Sequence, residues 1–315
     1  MKGSQSVMRQ DELVSVIIPC YNQGHFLDEA IGSVLTQTLR SFEIIAVDDG
    51  SSDNTFEVAT RHPTVRCIRQ KNCGLSAARN ICARESRGSY LVFLDADDRL
   101  LPNALEAGVE CFNRHPDCAF VYGHLKFIAA DGSPLPTPRQ VCVDKDHCLE
   151  LLRTDYIWTP GVVMYRRAAF ESVIGFDTLI NACADCDLNI RISRDFPVHC
   201  HGSVILEYRQ HGANMSHNAT LMLKTALAAN RSQREYVRGN QRYEEAARHG
   251  KRAAQEYFGR HLIDEIRSDI ASRRLRPAMR GMLTLLRYHP YGFVRFAHRG
   301  LSRMGARARN LLRSR

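Results

Sequence analysis

Two groups of aspartates are the residues best suited to do chemistry in this sequence. Asp48 and Asp49 directly follow the apolar run 44–47 (IIAV), and Asp95, Asp97 and Asp98 directly follow 90–94 (YLVFL). Adjacent carboxylates repel each other and are costly to desolvate, so such groups at strand ends require a cation or a hydrogen-bonding ligand. Their oxygen atoms suit a hard divalent ion. The competing interpretation, solvated turn formers or helix caps, is weakened because two groups follow neighbouring strands.

Alternating strands and helices must position these aspartates. Apolar runs at 14–18, 44–47, 64–69 and 90–94 predict strands, and apolar residues at helical spacing predict helices near 26–39, 54–61 and 75–86. This order predicts an α/β fold with a mostly parallel sheet and helices on both faces. Ligands of such sheets bind at the carboxyl ends of the strands, where both groups lie. After about 115 the pattern becomes mixed, and from 219 onward no strand is predicted.

Length and charge divide the chain into parts. A chain of 315 residues exceeds the usual size of one domain. We expect an N-terminal extension at 1–13, a catalytic domain at 14–216 and a basic helical region at 217–315. Residues 216–315 hold 22 of the 43 Lys and Arg but 7 of the 34 Asp and Glu, which leaves 21 and 27 for residues 1–215. The two parts therefore carry +15 and −6 and should meet different partners.

Segments typical of export or of membrane spans are not found in the sequence. No run of about 18 apolar residues occurs, and the N-terminus lacks the apolar middle section of a secretory signal. We therefore expect a cytoplasmic protein. Eleven cysteines without regular spacing predict reduced thiols and no structural disulfide. A zinc site at Cys183 and Cys186 with His199, Cys200 and His201 is the less favoured interpretation of those residues.

At this point three segments together resemble the family 2 glycosyltransferases of the GT-A fold. They are VSVIIPCYNQGHFLDEAIGSVLTQTLRSFEIIAVDDGSSDNT (14–55), QKNCGLSAARNICARESRGSYLVFLDADD (70–98) and YRQHGANMS (208–216). The resemblance implies a Rossmann-like GT-A domain and an inverting transferase. It also implies a nucleotide-sugar donor, most simply UDP-linked, and a saccharide or lipid-linked acceptor, in cell-surface polysaccharide or glycolipid assembly.

The resemblance also assigns donor-site residues. Uracil and ribose would be held by residues of the first loop and the second strand, namely Pro19, Tyr21, Asn22, Asp48 and Asp49. Arg79, in the segment Gly74–Asn80, would pair with the diphosphate. Asp95 and Asp97 match the Asp-x-Asp motif that binds Mn²⁺ or Mg²⁺ beside the diphosphate, and His211 matches a histidine that reaches the metal or phosphate. A merely packed or exposed histidine is the alternative for His211.

The catalytic base of relatives usually lies in a Glu-Asp pair followed by a Trp-Asp-Leu-like sequence at a helix start. Here the stretch reads Ala184-Asp185-Cys186-Asp187-Leu188. Asp185 is the predicted base by position. Because Ala184 and Cys186 replace the usual glutamate and aromatic residue, we expect a changed acceptor pocket. Ala184 also leaves open a sugar-nucleotide-binding protein without catalysis.

The basic region favours a membrane partner. Residues 271–315 hold 12 arginines and no acidic residue, interspersed with apolar side chains. Such mixtures suit an anionic lipid interface, so we expect peripheral attachment at the inner face of the plasma membrane. The apolar residues concerned are Leu283, Leu285, Leu286, Tyr288, Phe293 and Phe296. A solvated surface and a nucleic-acid patch are the alternatives, and nothing in 14–216 supports nucleic-acid binding.

Overall fold

A computed structural model describes residues 13–294 and residue 296 of the chain. The chain divides into two compact units. The first comprises the residues up to Leu151 together with Asp155–Gly212, and the second comprises Leu152–Thr154 and everything from Ala213 onward.

The first unit is built on one eight-stranded sheet in the spatial order β3-β2-β1-β4-β7-β6-β8-β5. β1 pairs in parallel with β2 and with β4, and β2 pairs in parallel with β3. The carboxyl ends of these strands therefore meet at one edge. β7 is antiparallel to both of its neighbours. The strands are β1 (Val14–Cys20), β2 (Phe42–Asp48), β3 (Val65–Arg69), β4 (Tyr90–Phe93), β5 (Arg99–Leu100), β6 (Phe120–Ala129), β7 (Val163–Arg166) and β8 (Val198–Gln210).

Helices cover the sheet because their apolar side chains recur on one face. α1, for example, buries Leu27, Ala30, Ile31 and Val34, which follow helical spacing. β1 is buried along its whole length, as expected for a parallel strand covered on both faces. The helices of the first part of the chain are α1 (Gly24–Leu35), α2 (Thr55–Thr60), α3 (Leu75–Glu85), α4 (Ala104–Arg114), α5 (His147–Arg153), α6 (Arg167–Ser172) and α7 (Ala184–Ser193).

The predicted elements of the first hundred residues all occur, with shifted ends. The strand expected at 90–94 is Tyr90–Phe93, and the helix expected near 26–39 is Gly24–Leu35. The long strand β8 was not predicted, because its run VHCHGSVILEYRQ carries histidines and a glycine instead of a continuous apolar stretch. β8 lies between β6 and the edge strand β5 in the second half of the sheet and leads directly to His211.

One expectation about the cysteines was wrong. Cys142 and Cys200 form a disulfide across 58 residues, with Cα atoms 5.4 Å apart. Nine cysteines remain free thiols. The pairing depends on the fold, because the strand pair β6–β8 brings Cys200 beside the loop after β6, and no spacing rule in the sequence indicates it.

The second unit is helical in its described part and contains α8 (Ala219–Ser232), α9 (Arg234–Val237), α10 (Gln241–Ala271) and α11 (Leu275–Tyr288). Asn218 and Asn240 cap α8 and α10 by accepting bonds from the backbone N–H groups of Leu221 and Tyr243. At about 1.5 Å per residue, the 31 residues of α10 extend about 46 Å. None of the helices described is long and apolar enough to span a bilayer.

The apolar residues expected to face lipid divide into two sets, which corrects the sequence-based assignment. Leu285 is fully buried in a core formed with Leu223, Leu262 and other aliphatic residues, and Tyr288, Phe293 and Phe296 pack against that core. Leu283 and Leu286 remain 64% and 47% exposed. An amphipathic helix that is part of a bundle packs one apolar face against its neighbours. Only the outward face is left for another partner.

Candidate active site

The loops after β1 and β2 are tied together beside the carboxyl edge of the sheet. The N–H of Asn22 donates to Ser51 Oγ at 2.9 Å, and Asn22 Oδ1 accepts from the N–H of Ser52 at 2.8 Å. Asn22 adopts a positive φ of 55°, a conformation that asparagine tolerates better than most residues. Pro19 lies within β1, opposite Val47 of β2. The Tyr21 side chain is 52% exposed. Asn22 therefore holds the loop, and the Tyr21 ring is available to a ligand.

Three of the four carboxylate oxygens of the first aspartate pair accept hydrogen bonds from the protein itself, whereas Asp48 Oδ2 has no hydrogen-bond partner among the described residues. Asp49 Oδ1 accepts from Gln70 Nε2 at 2.7 Å and from the N–H of Cys73 at 2.9 Å, and its Oδ2 accepts from the N–H of Gly74 at 2.9 Å. Asp48 Oδ1 accepts from the N–H of Ser51 at 2.8 Å. Its Oδ2 lies 3.1 Å from Arg69 Nε. Both carboxylates are buried, and Asp49 fixes the loop that leads into α3.

The second group begins with an ion pair on α3. Arg79 is 3% exposed, and its Nη2 donates to Asp95 Oδ1 at 2.5 Å. Its guanidinium also lies 5.2 Å from the centre of the Phe176 ring, which holds it in place. Arg79 Nε has no hydrogen-bond partner among the described residues. The structure thus joins Arg79 and Asp95, which the resemblance assigns to the donor site, in an ion pair that was not predicted, and leaves the buried Arg79 Nε donor beside it.

Asp97 and His211 form the next contact along this edge. Asp97 Oδ2 lies 2.9 Å from His211 Nε2, and the His211 ring packs on Phe26 with centroids 4.9 Å apart. Burial raises the pKa of Asp97, the charge of Asp95 raises it further, and the hydrogen bond from His211 opposes both. The protein alone does not fully compensate this buried negative charge.

A buried arginine that was not assigned from the sequence completes the group. Arg209 is 1% exposed. Its backbone N–H donates to Asp98 Oδ1 at 2.9 Å, its Nε donates to the carbonyl of Asp97 at 2.8 Å, and its Nη2 donates to Glu29 Oε2 at 2.6 Å. Burial, followed by the charges of Asp97 and Asp95, raises the pKa of Asp98 well above its usual value. Arg209 lies inside the YRQHG segment (208–212), so the family motif could have indicated it as a site residue.

The donor set of this edge fits a hard divalent ion. Asp95 and Asp97 offer carboxylate oxygens, the ligands that such an ion prefers. The negative charges of these two carboxylates repel each other, and His211 Nε2 lies beside Asp97. The ligand atoms of Asp95, Asp97 and His211, however, do not all lie within 4.8 Å of one another. Among the described residues, only two other groups, both made of Cys and His, meet that distance. Asp97 and His211 are already adjacent, and Asp95 faces Arg79. A bound ion would require Asp95 to share its carboxylate between the ion and Arg79.

The predicted base lies on the first turn of α7, close to the Arg79–Asp95 pair. Burial raises the pKa of the half-buried Asp185, the charge of Arg79 opposes that shift, and the charge of Asp95 adds to it. A raised pKa makes a carboxylate a better proton acceptor near neutral pH. Asp185 thus has an environment suited to general-base chemistry.

A second carboxylate, missed from the sequence, accompanies Asp185. Asp155 is accessible to solvent, but the protein surrounding its carboxyl group raises its pKa well above the usual value, and the charge of Asp185 raises it further. The thiol of Cys186 donates a hydrogen bond to Asp155. Cys186, at the position where the family resemblance implies an aromatic residue, therefore contacts Asp155. Asp155 lies in an irregular segment, and no sequence motif indicates it.

Neighbouring loops fix the position of α7. Asp187 is buried and pairs with Arg191 at 2.8 Å, and Arg191 also donates to the carbonyls of Val173 and Gly175. On the other side, Asn80 exchanges two hydrogen bonds with the backbone of Phe176. These contacts tie α7, through Arg191, and α3, through Asn80, to the same loop at 173–176. Asp187 is thus engaged within the protein, whereas among the described residues Asp185 has no such ion pair.

Comparison with known proteins supplies the family context. The sequence model for glycosyl transferase family 2 matches residues 15–174. The chondroitin synthase of Escherichia coli is 28% identical over 232 residues, which cover 68% of this chain and 31% of that enzyme. Across eight curated relatives, the chain spans between 19% and 56% of the relative's own length.

Solved structures share the fold at low identity. TarS 1-349 of S. aureus in complex with UDP-GlcNAc has a TM-score of 0.59 at 15% identity, covering 89% of this chain and 82% of that one. The mannosyltransferase PcManGT of Pyrobaculum calidifontis, in complex with GDP-Man and Mn²⁺, has a TM-score of 0.59 at 17% identity, covering 91% and 86%. The GT-A fold predicted from the sequence is confirmed.

Proposed function

The chain belongs to glycosyl transferase family 2, and from this premise we propose that it transfers a sugar, with inversion, from a UDP-sugar to an acceptor hydroxyl. The observation that carries the proposal is the arrangement at the carboxyl edge of the sheet. There an Arg79–Asp95 pair, an Asp97–His211 pair and the carboxylate of Asp185 adjoin one another. A cationic group for a leaving diphosphate lies beside a carboxylate with a raised pKa.

The donor would bind along the loops of the first three parallel strands. The exposed Tyr21 ring offers a stacking surface for the base. The shape of these loops is set by Pro19, Asn22, Asp48 and Asp49. Asp49 would act by holding the Cys73–Gly74 backbone, and not by direct contact with the donor. The unpartnered Nε of Arg79 would donate to a diphosphate oxygen. A Mn²⁺ or Mg²⁺ ion held by Asp95, Asp97 and His211 would neutralise the departing diphosphate.

The acceptor would be deprotonated by Asp185. A single displacement on the sugar carbon gives inversion, because the hydroxyl attacks opposite the leaving diphosphate. Proton transfer to a positioned carboxylate of raised pKa contributes to such attack. The charge of Asp185 raises the pKa of Asp155, and we place Asp155 on the acceptor side of the site.

The test is a screen of nucleotide sugars with Mn²⁺ and saccharide or lipid-linked acceptors, scored by product formation. Asp185→Asn should lower turnover roughly 10²-fold or more and leave UDP affinity intact, because the amide keeps the shape but cannot take the proton. Asp117→Asn removes an exposed carboxylate and is the matched control. If Asp155→Asn abolishes transfer while Asp185→Asn retains it, the base is Asp155. Sustained transfer by both variants contradicts the mechanism.

We also propose that the outward face of α11 binds anionic membranes from the cytoplasmic side. Leu275, Met279, Leu283 and Leu286 recur at helical spacing and are exposed, and Arg276, Arg280 and Arg287 flank them on the same helix. Apolar insertion and cationic attraction then act together. A polysaccharide or glycolipid acceptor would lie at that surface.

The membrane proposal is tested by co-sedimentation with vesicles containing anionic lipid at low salt. Met279→Glu with Leu283→Glu should reduce binding, and high salt should weaken it. Truncation before α11 is unsuitable because it would remove Leu285 from the core. Glutamates at Tyr257 and Tyr236, exposed on α10 and α9, are the control. Equal sedimentation of both double variants rules the α11 face out.

A further inference from the structure

Three side chains of types that can bind metal ions lie close together, at positions 124, 142 and 200 of the chain. They are His124 on β6, Cys142 in the loop after β6, and Cys200 on β8. Their ligand atoms all lie within 4.8 Å of one another. His124 Nε2 is 3.8 Å from Cys142 Sγ and 3.8 Å from Cys200 Sγ. In the part of the chain that the structure describes, these are the only polar contacts of the His124 ring.

These distances approach those of a tetrahedral site. With Zn–S near 2.3 Å and Zn–N near 2.05 Å, a nitrogen and a sulfur on one zinc ion lie about 3.6 Å apart. The observed 3.8 Å is close to that value for both sulfurs. When the sulfurs are no longer bonded to each other, they can separate to the roughly 3.8 Å that two thiolates adopt on one ion.

The backbone directs the histidine toward the cysteines. The pairing of β6 with β8 is irregular on both sides of His124, between Tyr122 and His124 and between His124 and Leu125. Such irregularities re-aim a side chain and are common beside functional sites. Cys142 is exposed, so reductants and metal ions can reach the group.

We propose that, when the disulfide is reduced, Cys142, Cys200 and His124 bind one Zn²⁺ ion, with water in the fourth position. This site is separate from the oxygen-ligand site at Asp95 and Asp97, since two thiolates and an imidazole select a softer ion than carboxylates do. It does not depend on the proposed transferase activity. The disulfide and the metal exclude each other, because both require the same two sulfur atoms.

The chemistry balances in two steps. A dithiol reductant breaks the Cys142–Cys200 bond by thiol–disulfide exchange; it gives up two electrons, becomes a cyclic disulfide, and leaves both protein sulfurs as thiols. Zn²⁺ then displaces the two thiol protons and accepts the lone pair of neutral His124 Nε2, with no change of oxidation state. In either state Cys142 stays attached to β8. The segment that begins at Cys142 leads to Asp155.

The experiment uses the full-length chain with excess Mg²⁺ to occupy oxygen-ligand sites. Reduced protein, freed of reductant under anaerobic conditions, is titrated with Co²⁺ and then Zn²⁺. We expect thiolate-to-cobalt absorption that saturates at one equivalent and is removed by Zn²⁺, and no such band from oxidised protein. Bound Zn²⁺ should protect Cys142 and Cys200 from alkylation, as read by mass spectrometry of the peptides.

Matched variants decide whether these three residues are the ligands. Cys142→Ser and Cys200→Ser should each abolish the band, and His124→Ala should weaken Zn²⁺ binding at least about tenfold, the lower limit for loss of a metal-supporting partner. Cys111→Ser is the control, because Cys111, His115 and His199 form the other close group. The proposal is overturned if oxidised protein binds equally, if His124→Ala changes nothing, or if the band is lost with Cys111→Ser instead.

Discussion

The two aspartate groups look alike in sequence but differ in how their charges are met. Asp49 accepts three hydrogen bonds from the protein, which compensate its charge and hold the loop that leads into α3. At the other group, burial and mutual repulsion raise the pKa of both Asp97 and Asp98 in spite of His211 and Arg209. The lesson is that a carboxylate cluster indicates a ligand only where the protein leaves its charge uncompensated. The same substitution should therefore have different consequences at the two groups.

The largest difference is expected in catalysis. Asp97→Asn removes a charge that would hold the divalent ion, so turnover should fall by about 10²–10³-fold, the cost typical of losing one electrostatic contact to a transition state. UDP binding should lose its dependence on Mn²⁺, as measured by calorimetry with the ion and with excess chelator. Asp117→Asn, which removes an exposed charge, is the control. If the unmodified protein binds UDP equally well with Mn²⁺ and with chelator, the proposed metal site is wrong.

Much of the setting of both aspartate groups could be predicted from the sequence. β1, β2 and β4 are buried parallel strands, so they read as continuous apolar runs, and the aspartates follow them directly. The family motifs assign Arg79, Asp95, Asp97 and His211 to one donor site, but the ion pair of Arg79 with Asp95 and the contact of His211 with Asp97 were not predicted.

What could not be predicted depends on contacts distant in sequence. β8 carries polar residues because one end of it forms part of a cysteine and histidine group, so its pattern lacked an apolar run. Asp155 is placed beside Asp185 only by the tertiary fold. The disulfide joins residues 58 apart. That Asp49 is saturated while Asp97 is not can be read only from the three-dimensional positions of donors such as the Gly74 N–H.

The second difference is expected in stability. Asp49→Asn replaces one of the two accepting oxygens with an NH₂ group that cannot accept, so at least one N–H of Gln70, Cys73 or Gly74 loses its partner. The free energy of unfolding should fall by about 1–3 kcal/mol, the cost of leaving a buried donor unsatisfied. Urea denaturation measures it. Asp97→Asn should cost less, since removing its charge also relieves repulsion by Asp95. A larger loss at Asp97 than at Asp49 would contradict the distinction between the two groups.

The smallest difference is expected in the pH dependence of Asp98→Asn. Burial and the charges of Asp97 and Asp95 raise the folded-state pKa of Asp98 above its unfolded value of about 3.9. A carboxyl with a raised pKa contributes stability that is present below the unfolded pKa and is lost as the pH rises through the folded pKa. Asparagine cannot ionise, and its Oδ1 can still accept from the Arg209 N–H, so it avoids that loss.

In chelator-containing buffer, the free energy of unfolding of Asp98→Asn minus that of the unmodified protein should therefore grow as the pH rises from 4 to 7, by about 1.4 kcal/mol for each unit by which the pKa is raised. Both proteins share the pH-dependent contributions of carboxylates whose pKa is lowered, such as Glu43 and Glu207, so these contributions cancel in the difference. Asp117→Asn should give a flat difference. If the Asp98→Asn difference instead shrinks as the pH rises, attraction to Arg209 outweighs burial. The second group would then be compensated by the protein, just as Asp49 is.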